Sequence, residues 1–366
     1  MQDGSADQAS AGVAAVEPKC KSFMVTGAAG LCGRRLVEML VEYGASRVVA
    51  FDRAPTTELA EQFPGVVEAV AGDLTDGAAV EKACEGVECV FHLGALVGPF
   101  HEAAAFEAVN YGGSMRVLEA CRAKGVGRLV YSSSPSTRFS GADVRGLREE
   151  QMEIRQPGQF LEAYAETKAR AEIAIREANC NELRTIAVAP HQVYGPRDPL
   201  FLPNFLAAAE SGRLRVFGKG ENEISVCFVD NFCHGCILAM ESLVPGSPSL
   251  GKYYVITDGS KYNLWRLLDS AVTYMGFPSL FDKFKLPTGM LFAIAKMGKL
   301  FGGNFRLTTF TVTMLTIDRW FDISNAEKDL GYKPIVSHDD AWALTLAWYK
   351  DHMDWWREKG AGLIKK

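Results

Sequence analysis

No run of about eighteen apolar residues, the length a helix needs to cross a bilayer, occurs in the 366-residue sequence. No block of consecutive Lys and Arg occurs either. The 39 basic residues are dispersed among 44 acids, giving a net charge of -5. Nucleic acid is therefore excluded as the main partner, because phosphate backbones require clustered cations. The nine cysteines are odd in number and scattered over the whole length, without a secretory signal before them. That pattern points to reduced thiols in an intracellular setting rather than a disulfide framework. No internal repeat is present. Residues 1–19 offer little to bury and carry Asp3, Asp7 and Glu17 but no Arg. They are expected to form a disordered tail and not a targeting segment.

The most apolar stretch of the C-terminal part, residues 286–301, is short and interrupted by Lys296 and Lys299. It has three readings. One is an amphipathic helix of the C-terminal part; the second is a helix resting on a membrane surface; the third is a wall of an apolar substrate pocket. The expected location is cytoplasmic, or peripheral on an intracellular membrane resembling the endoplasmic reticulum.

What is present is a regular alternation. Strand-like runs at 22–26, 47–51, 66–70, 89–92, 128–132 and 183–189 are separated by helical segments, including 30–43, 106–124 and 163–177. Apolar strands spaced by helices predict βαβ units and a parallel sheet covered on both faces. The fold class is α/β, a Rossmann-type doubly wound sheet over 20–190 with a smaller mixed substrate lobe over 191–366. Strands at 226–229 and 253–256 are expected to bring the segment near 226–257 back to the main domain.

The first strand runs into Thr26-Gly27-Ala28-Ala29-Gly30-Leu31-Cys32-Gly33, at the start of a helix. Small residues there let the backbone approach a pyrophosphate, and the helix N-terminus offers free N–H groups and partial positive charge. Asp52 ends the second strand, where an acid accepts bonds from ribose hydroxyls and repels a 2′-phosphate. Arg53 beside it weakens that preference slightly. Asp73 and Leu74 follow the third strand, and Leu93-Gly94-Ala95 the fourth. All these positions fall at C-terminal strand ends, and together they predict NAD as cofactor.

Tyr164 and Lys168, the single Tyr-x-x-x-Lys pair in the chain, share one face of a predicted helix. They follow a fifth strand that ends in Ser132-Ser133-Ser134. A tyrosine hydroxyl beside a lysine ammonium and a positive nicotinamide ring has its pKa lowered enough to act as a base. A serine hydroxyl opposite it would hold a substrate oxygen as charge develops. The pattern predicts hydride transfer at an alcohol.

On these motifs the chain resembles the extended short-chain dehydrogenases/reductases. Within them it resembles the branch of the 3β-hydroxysteroid dehydrogenases and decarboxylating sterol-4α-carboxylate 3-dehydrogenases. The likeness rests also on Asn110 with Gly112-Gly113, on 189–199 (Ala-Pro-His-Gln-Val-Tyr-Gly-Pro-Arg-Asp-Pro), on 229–235 and on 320–324. The resemblance implies that Tyr164 is the acid/base and that Lys168 binds the nicotinamide ribose. Ser134 is implied as the catalytic serine, with Ser133 as alternative, and Asn110 as a residue of the active site. It places Pro190 and Val193 beside the cofactor, and His191 and Tyr194 beside the substrate. It also implies a homodimer. Ala189 departs from relatives that carry Arg there, which weakens sugar-nucleotide contacts from this segment.

The implied reaction is oxidation of a 3β-hydroxysteroid or sterol to the 3-ketone, with loss of CO2 if a 4α-carboxylate is present. Tyr254 and Asp258 match the pair linked to isomerase activity in some members. The alternatives are a nucleotide-sugar epimerase or dehydratase of the same family, and a non-catalytic scaffold. Cys227, Cys233, His234 and Cys236 suggest zinc, but Cys233 and Cys236 fall on a predicted helix and no second ligand pair follows. No metal is expected.

Overall fold

The computed structural model describes residues 20–98, 101–300 and 307–364. Both the tail expected at 1–19 and Phe301, the end of the apolar stretch, lie outside the described residues. Among the described residues thirteen strands run in chain order: β1 Ser22–Thr26, β2 Arg47–Asp52, β3 Val67–Ala71, β4 Cys89–His92, β5 Arg128–Ser132, β6 Val144–Leu147 and β7 Arg184–Pro190. They continue with β8 Val193–Tyr194, β9 Glu223–Ile224, β10 Cys227–Phe228, β11 Tyr253–Ile256, β12 Tyr262–Asn263 and β13 Arg319–Phe321.

Seven of them form one sheet in the order β11-β7-β5-β4-β1-β2-β3. Every neighbouring pair in it is parallel. The central strands are apolar through their middles because helices cover both faces: Phe23, Met24 and Val25 of β1, and Val90 and Phe91 of β4, are fully buried. The Leu31–Glu42 helix packs on the Val229–Glu241 helix, and Gly77–Ala83 packs on Ser114–Ala123. A bidentate pair, Arg35 Nε to Asp230 Oδ1 at 2.9 Å and NH2 to Oδ2 at 3.1 Å, ties the first two together.

The strand order reverses between β1 and β4, where the two chains leave the sheet in opposite directions and open a crevice. At that point Gly27 takes φ +74°, and a Cβ there would lie 2.8 Å from Gly94 Cα. A Cβ on Gly33 would overlap the Gly27 carbonyl. Glycine at both positions is what lets the loop, the first helix and the turn after β4 meet.

The second layer differs from expectation in three places. The helix expected over 106–124 is interrupted: Ala103–Phe106 and Ser114–Ala123 are α-helical, but Glu107–Gly113 is wound as π-helix. Gly113 packs there against Leu74, 2.8 Å from where its Cβ would stand. The strand expected at 226–229 shrinks to β10, because Val229 already begins a helix. β10 pairs with β8 and not with the main sheet, whereas β11 lies at the sheet edge beside β7. β6 was not foreseen. It belongs by sequence to the segment 20–190, yet it pairs in parallel with β13, in a four-stranded lobe sheet of order β12-β9-β13-β6.

Residues 288–300 form a helix that buries Leu291 and Ala295 against Val312 and exposes Met290 and Met297. Among the described residues no helix is long and apolar enough to cross a membrane.

The glycine contacts generate a stability prediction. Gly33→Ala should lower unfolding free energy by about 1–3 kcal/mol, since a rigid carbonyl must move to admit one methyl group. Gly289→Ala, in a helix with nothing within 4 Å of the added methyl, should leave stability within about 1 kcal/mol of the parent or raise it. Denaturant melts of both variants check this; equal losses would show that the tight approach is not required.

Candidate active site

A continuous cleft of about 1190 Å³ runs along the C-terminal strand ends and under the lobe. Its first half is lined by Gly27, Gly30, Leu31, Cys32, Gly33, Asp52, Arg53, Asp73, Leu74, Leu93, Gly94 and Ala95. Ala29 stays off the lining. Its N–H donates to Asp52 Oδ2 at 3.0 Å, while Asp52 Oδ1 accepts from Ala54 N–H at 2.9 Å. The acid at the end of β2 thus holds the loop as well as facing the cleft. The Leu31–Glu42 helix begins at Gly30 without a side-chain cap, and its first residues, Leu31, Cys32 and Gly33, line the cleft. A glycine cradle, an uncapped helix start and an acid at the second strand end fit a dinucleotide. Burial pushes the Cys32 thiol up to about 12, so it is neutral there. Thr75 donates from backbone and hydroxyl to Asp73 Oδ1 and, helped by Arg53, holds that carboxyl below its usual range.

Beneath this floor runs a buried chain of hydrogen bonds. Thr26 Oγ1 accepts from Gly94 N–H at 3.0 Å and lies 2.7 Å from His92 Nδ1. His92 Nε2 lies 2.9 Å from Ser114 Oγ, which donates to the Asn110 carbonyl at 2.5 Å. Burial, aided by the Lys168 charge, pulls His92 down to about 3. The imidazole is therefore neutral, and one consistent direction runs from Thr26 through His92 to Ser114. Asn110 itself clamps a loop: Oδ1 accepts from Leu96 N–H at 2.8 Å and Nδ2 donates to the Leu96 carbonyl at 3.0 Å. With both ends of its amide engaged, Asn110 positions the segment after β4 and is absent from the cleft lining, unlike the active-site residue expected there.

The two serines after β5 both line the cleft, but their hydroxyls have different partners. Ser133 is buried and donates to Glu172 Oε2 at 2.7 Å. Ser134 caps the short 3-10 helix Pro135–Arg138, lines the cleft and hydrogen-bonds the Tyr164 hydroxyl, drawing the phenol pKa down. Burial outweighs that bond and pushes Tyr164 up to about 12. Lys168 lies buried one turn on. It donates to the Ser132 carbonyl and sits 4.2 Å from the centre of the Tyr131 ring. Burial pulls it down to about 7, against the Glu172 charge. With its pKa raised by burial, the Tyr164 phenol holds its proton at neutral pH.

Glu172, not foreseen, extends the face of Tyr164 and Lys168 by one more turn. Arg138 grips it with two bonds, 2.7 and 2.8 Å, and Arg176 adds a third at 3.1 Å. Burial alone would raise this carboxyl, but Arg138 more than offsets it.

The second half of the cleft is walled mainly by apolar side chains, among them Phe139, Met152, Phe205, Phe310, Met314 and Phe321. Pro190, His191 and Val193 line it too, as do Arg155 and Arg319, which sequence reasoning passed over. His191 Nδ1 donates to the Ser225 carbonyl at 2.6 Å, and Nε2 faces Arg319 NH1 at 3.0 Å. Burial and the neighbouring Arg319 bring His191 down to about 3.

Three expectations fail here. Tyr194, expected beside the substrate, is fully buried off the cleft and donates to Asp258 Oδ2 at 2.9 Å. Asp258 also takes Phe228 N–H and Asn231 Nδ2, while Tyr254 donates to Asp329 at 2.7 Å; neither member of the isomerase pair lines the cleft. The 288–300 helix does not wall it either, and Phe310 and Met314 stand there instead. Cys227, Cys233 and Cys236 are buried core thiols, raised by burial, and among the described residues no group of three potential ligands could hold a metal.

Comparison with known proteins gives this geometry a family. The description "3-beta hydroxysteroid dehydrogenase/isomerase family" matches residues 24–284. A 2-alkyl-3-oxoalkanoate reductase from Stenotrophomonas maltophilia (strain K279a) is 36% identical over 87% of this chain and 96% of its own length. A decarboxylating sterol-4-alpha-carboxylate 3-dehydrogenase from Mus musculus is 30% identical over 90% of this chain and 91% of its own. Among solved structures, a dTDP-glucose 4,6-dehydratase from Streptomyces venezuelae with NAD bound superposes with a TM-score of 0.73. It is 21% identical and covers 92% of this chain and 99% of that one, a likeness of fold. The chain belongs to the 3-beta hydroxysteroid dehydrogenase/isomerase family and is an extended short-chain dehydrogenase/reductase.

Proposed function

We propose that the protein is an NAD-dependent oxidoreductase that interconverts a secondary alcohol and its ketone on a bulky apolar substrate, a 3β-hydroxysterol or a branched 3-hydroxy acid. The observation that carries this is the meeting of Ser134 and Tyr164 where the glycine cradle passes into the apolar half of one cleft. NAD, when bound, supplies the hydride acceptor for oxidation. Gly27, Gly30 and Gly33 would leave room for its pyrophosphate, and Asp52 would hold its adenosine ribose. Ser134 donates a hydrogen bond to the substrate oxygen. Tyr164 takes the hydroxyl proton in oxidation and returns it in reduction. Lys168, one turn away, adds positive charge beneath the phenol when protonated and so favours the phenolate.

Two substrate chemistries stand behind the names of the relatives. In a 2-alkyl-3-oxoalkanoate and in a sterol 4α-carboxylate alike, the carboxylate hangs on the carbon next to the oxygen-bearing one. Oxidation of a substrate of this type gives a β-keto acid, which loses CO2 without a further catalytic residue. The nucleotide-sugar reading has the fold in its favour. The phenylalanine and methionine walls of the second half oppose it.

The purified full chain with NAD should accumulate NADH when given a 3β-hydroxysterol or a 2-alkyl-3-hydroxyalkanoate. Absence of NADH with either, together with interconversion of UDP-glucose on retained NAD, would replace this reading with the epimerase one. Tyr164→Phe should lower kcat by about 10²–10⁴-fold while NADH binding persists. The phenol, pushed up to about 12 without cofactor, must lose its proton to act as a base. Oxidation should therefore quicken as pH rises from 7 to 10, and ketone reduction should slow. A pH-rate profile that is flat in both directions would remove Tyr164 from the proton transfer.

A further inference from the structure

Of the four arginines that line the cleft, Arg53, Arg138, Arg155 and Arg319, two stand in contrasting states. Arg138 is neutralised by the buried Glu172. Arg319, on β13, has no carboxylate within ion-pair distance among the described residues. Its bonds go to neutral acceptors only: NH1 to His191 Nε2 at 3.0 Å, and NH2 to the Met314 carbonyl at 3.0 Å. Nε is buried and bonded to nothing. A guanidinium carries five N–H donors, so one on each terminal nitrogen is left over. The Ser225 carbonyl takes the Nδ1 proton of His191, which leaves Nε2 as the acceptor that aims the guanidinium. Burial brings Arg319 down to about 10 with no acid offsetting it, so at neutral pH the charge is retained.

A buried cation that stands in the lining with Phe310, Met314 and Phe321, and that none of the cleft's acids reaches within ion-pair distance, is expensive unless a ligand brings the missing anion. A planar fork with a donor free on each end matches a carboxylate in shape as well as charge.

We infer that Arg319, aimed by His191, is the anchor for a carboxylate carried by the apolar substrate, so that the enzyme selects 3-hydroxy and 3-oxo acids over the corresponding esters and neutral alcohols. This rests on the oxidoreductase reading for its substrate, but its test does not need turnover. Held at the carboxylate, the substrate is fixed at two points, the anchor and the Ser134–Tyr164 pair. Arg319 and His191 are positioning residues and take no part in proton transfer.

The test is calorimetric titration of the full chain in complex with NADH, using 2-hexyl-3-hydroxydecanoate and its methyl ester. Neither turns over on the reduced cofactor, so binding alone is read. The acid should bind at least about tenfold more tightly than the ester. Arg319→Met should erase that gap while NADH affinity, read at the distant glycine cradle, stays unchanged. Arg319→Lys, which keeps charge but loses the fork, should retain only part of the gap, and it replaces the Met variant if that chain no longer binds NADH. Equal binding of acid and ester by the native protein overturns the anchor, as does a gap that survives Arg319→Met. So does tighter binding of UDP-glucose that depends on Arg319, which would give the arginine to a phosphate. NADH production from acid and ester at equal efficiency would sink the anchor and leave the oxidoreductase standing. Acid-selective binding without turnover would do the reverse.

Discussion

The cleft floor depends on how closely two backbones approach each other where β1 and β4 diverge. Gly27 and Gly94 meet there with no room for a methyl group between them. Because they meet, Thr26 reaches the Gly94 N–H, and His92 reaches Thr26 on one side and Ser114 on the other. Ser114 in turn holds the carbonyl of Asn110, whose amide fixes the loop at Leu96. The geometry of one contact is thereby passed across two strands, a π-helical turn and a loop. Every member of the chain is neutral, so no burial of charge opposes it.

The site itself is assembled around charge that is buried but balanced. Glu172 lies under the helix face that carries Tyr164 and Lys168. Two arginines and two hydroxyls satisfy its oxygens. One of those arginines belongs to the 3-10 helix that Ser134 caps, so the same ion pair that neutralises the glutamate also sets where Ser134 stands. A buried pair of this kind contributes little net stability compared with apolar packing, but losing one partner is costly. Its value here is orientation.

Much of this was legible in the sequence because it is local. Strand and helix periods identify the six early strands of the main sheet, and the glycine loop and the Tyr164–Lys168 spacing are written in consecutive residues. What was not legible depends on distant partners. Ser133 and Ser134 are adjacent and chemically identical; only Glu172, on another element, engages the hydroxyl of one of them. Tyr194 sits in a motif shared with relatives, yet Asp258, far along the chain, draws its hydroxyl inward. Val144-Arg145-Gly146-Leu147 carries too little apolar pattern to read as a strand and becomes one through pairing with β13. Asn110 was recognised as a residue but not by its task, since the two bonds of its amide go to a backbone that sequence cannot place. The unpaired state of Arg319 is a fact about absent neighbours, and no spacing rule records an absence.

The pairing of β6 with β13 has a consequence for how the chain can be made. The lobe sheet takes one strand from the stretch between β5 and β7 and its neighbour from close to the C-terminus, so the lobe is no cassette that can be cut out or exchanged. During synthesis the parallel core can begin to close while β6 still lacks its neighbour. That strand emerges with both edges open and must wait until residues 319–321 leave the ribosome. Its Arg145 and Gly146 suit such a wait, since a short edge bearing charge and glycine is a poor template for another chain. The substrate half of the cleft therefore matures last, after the dinucleotide half has the means to form.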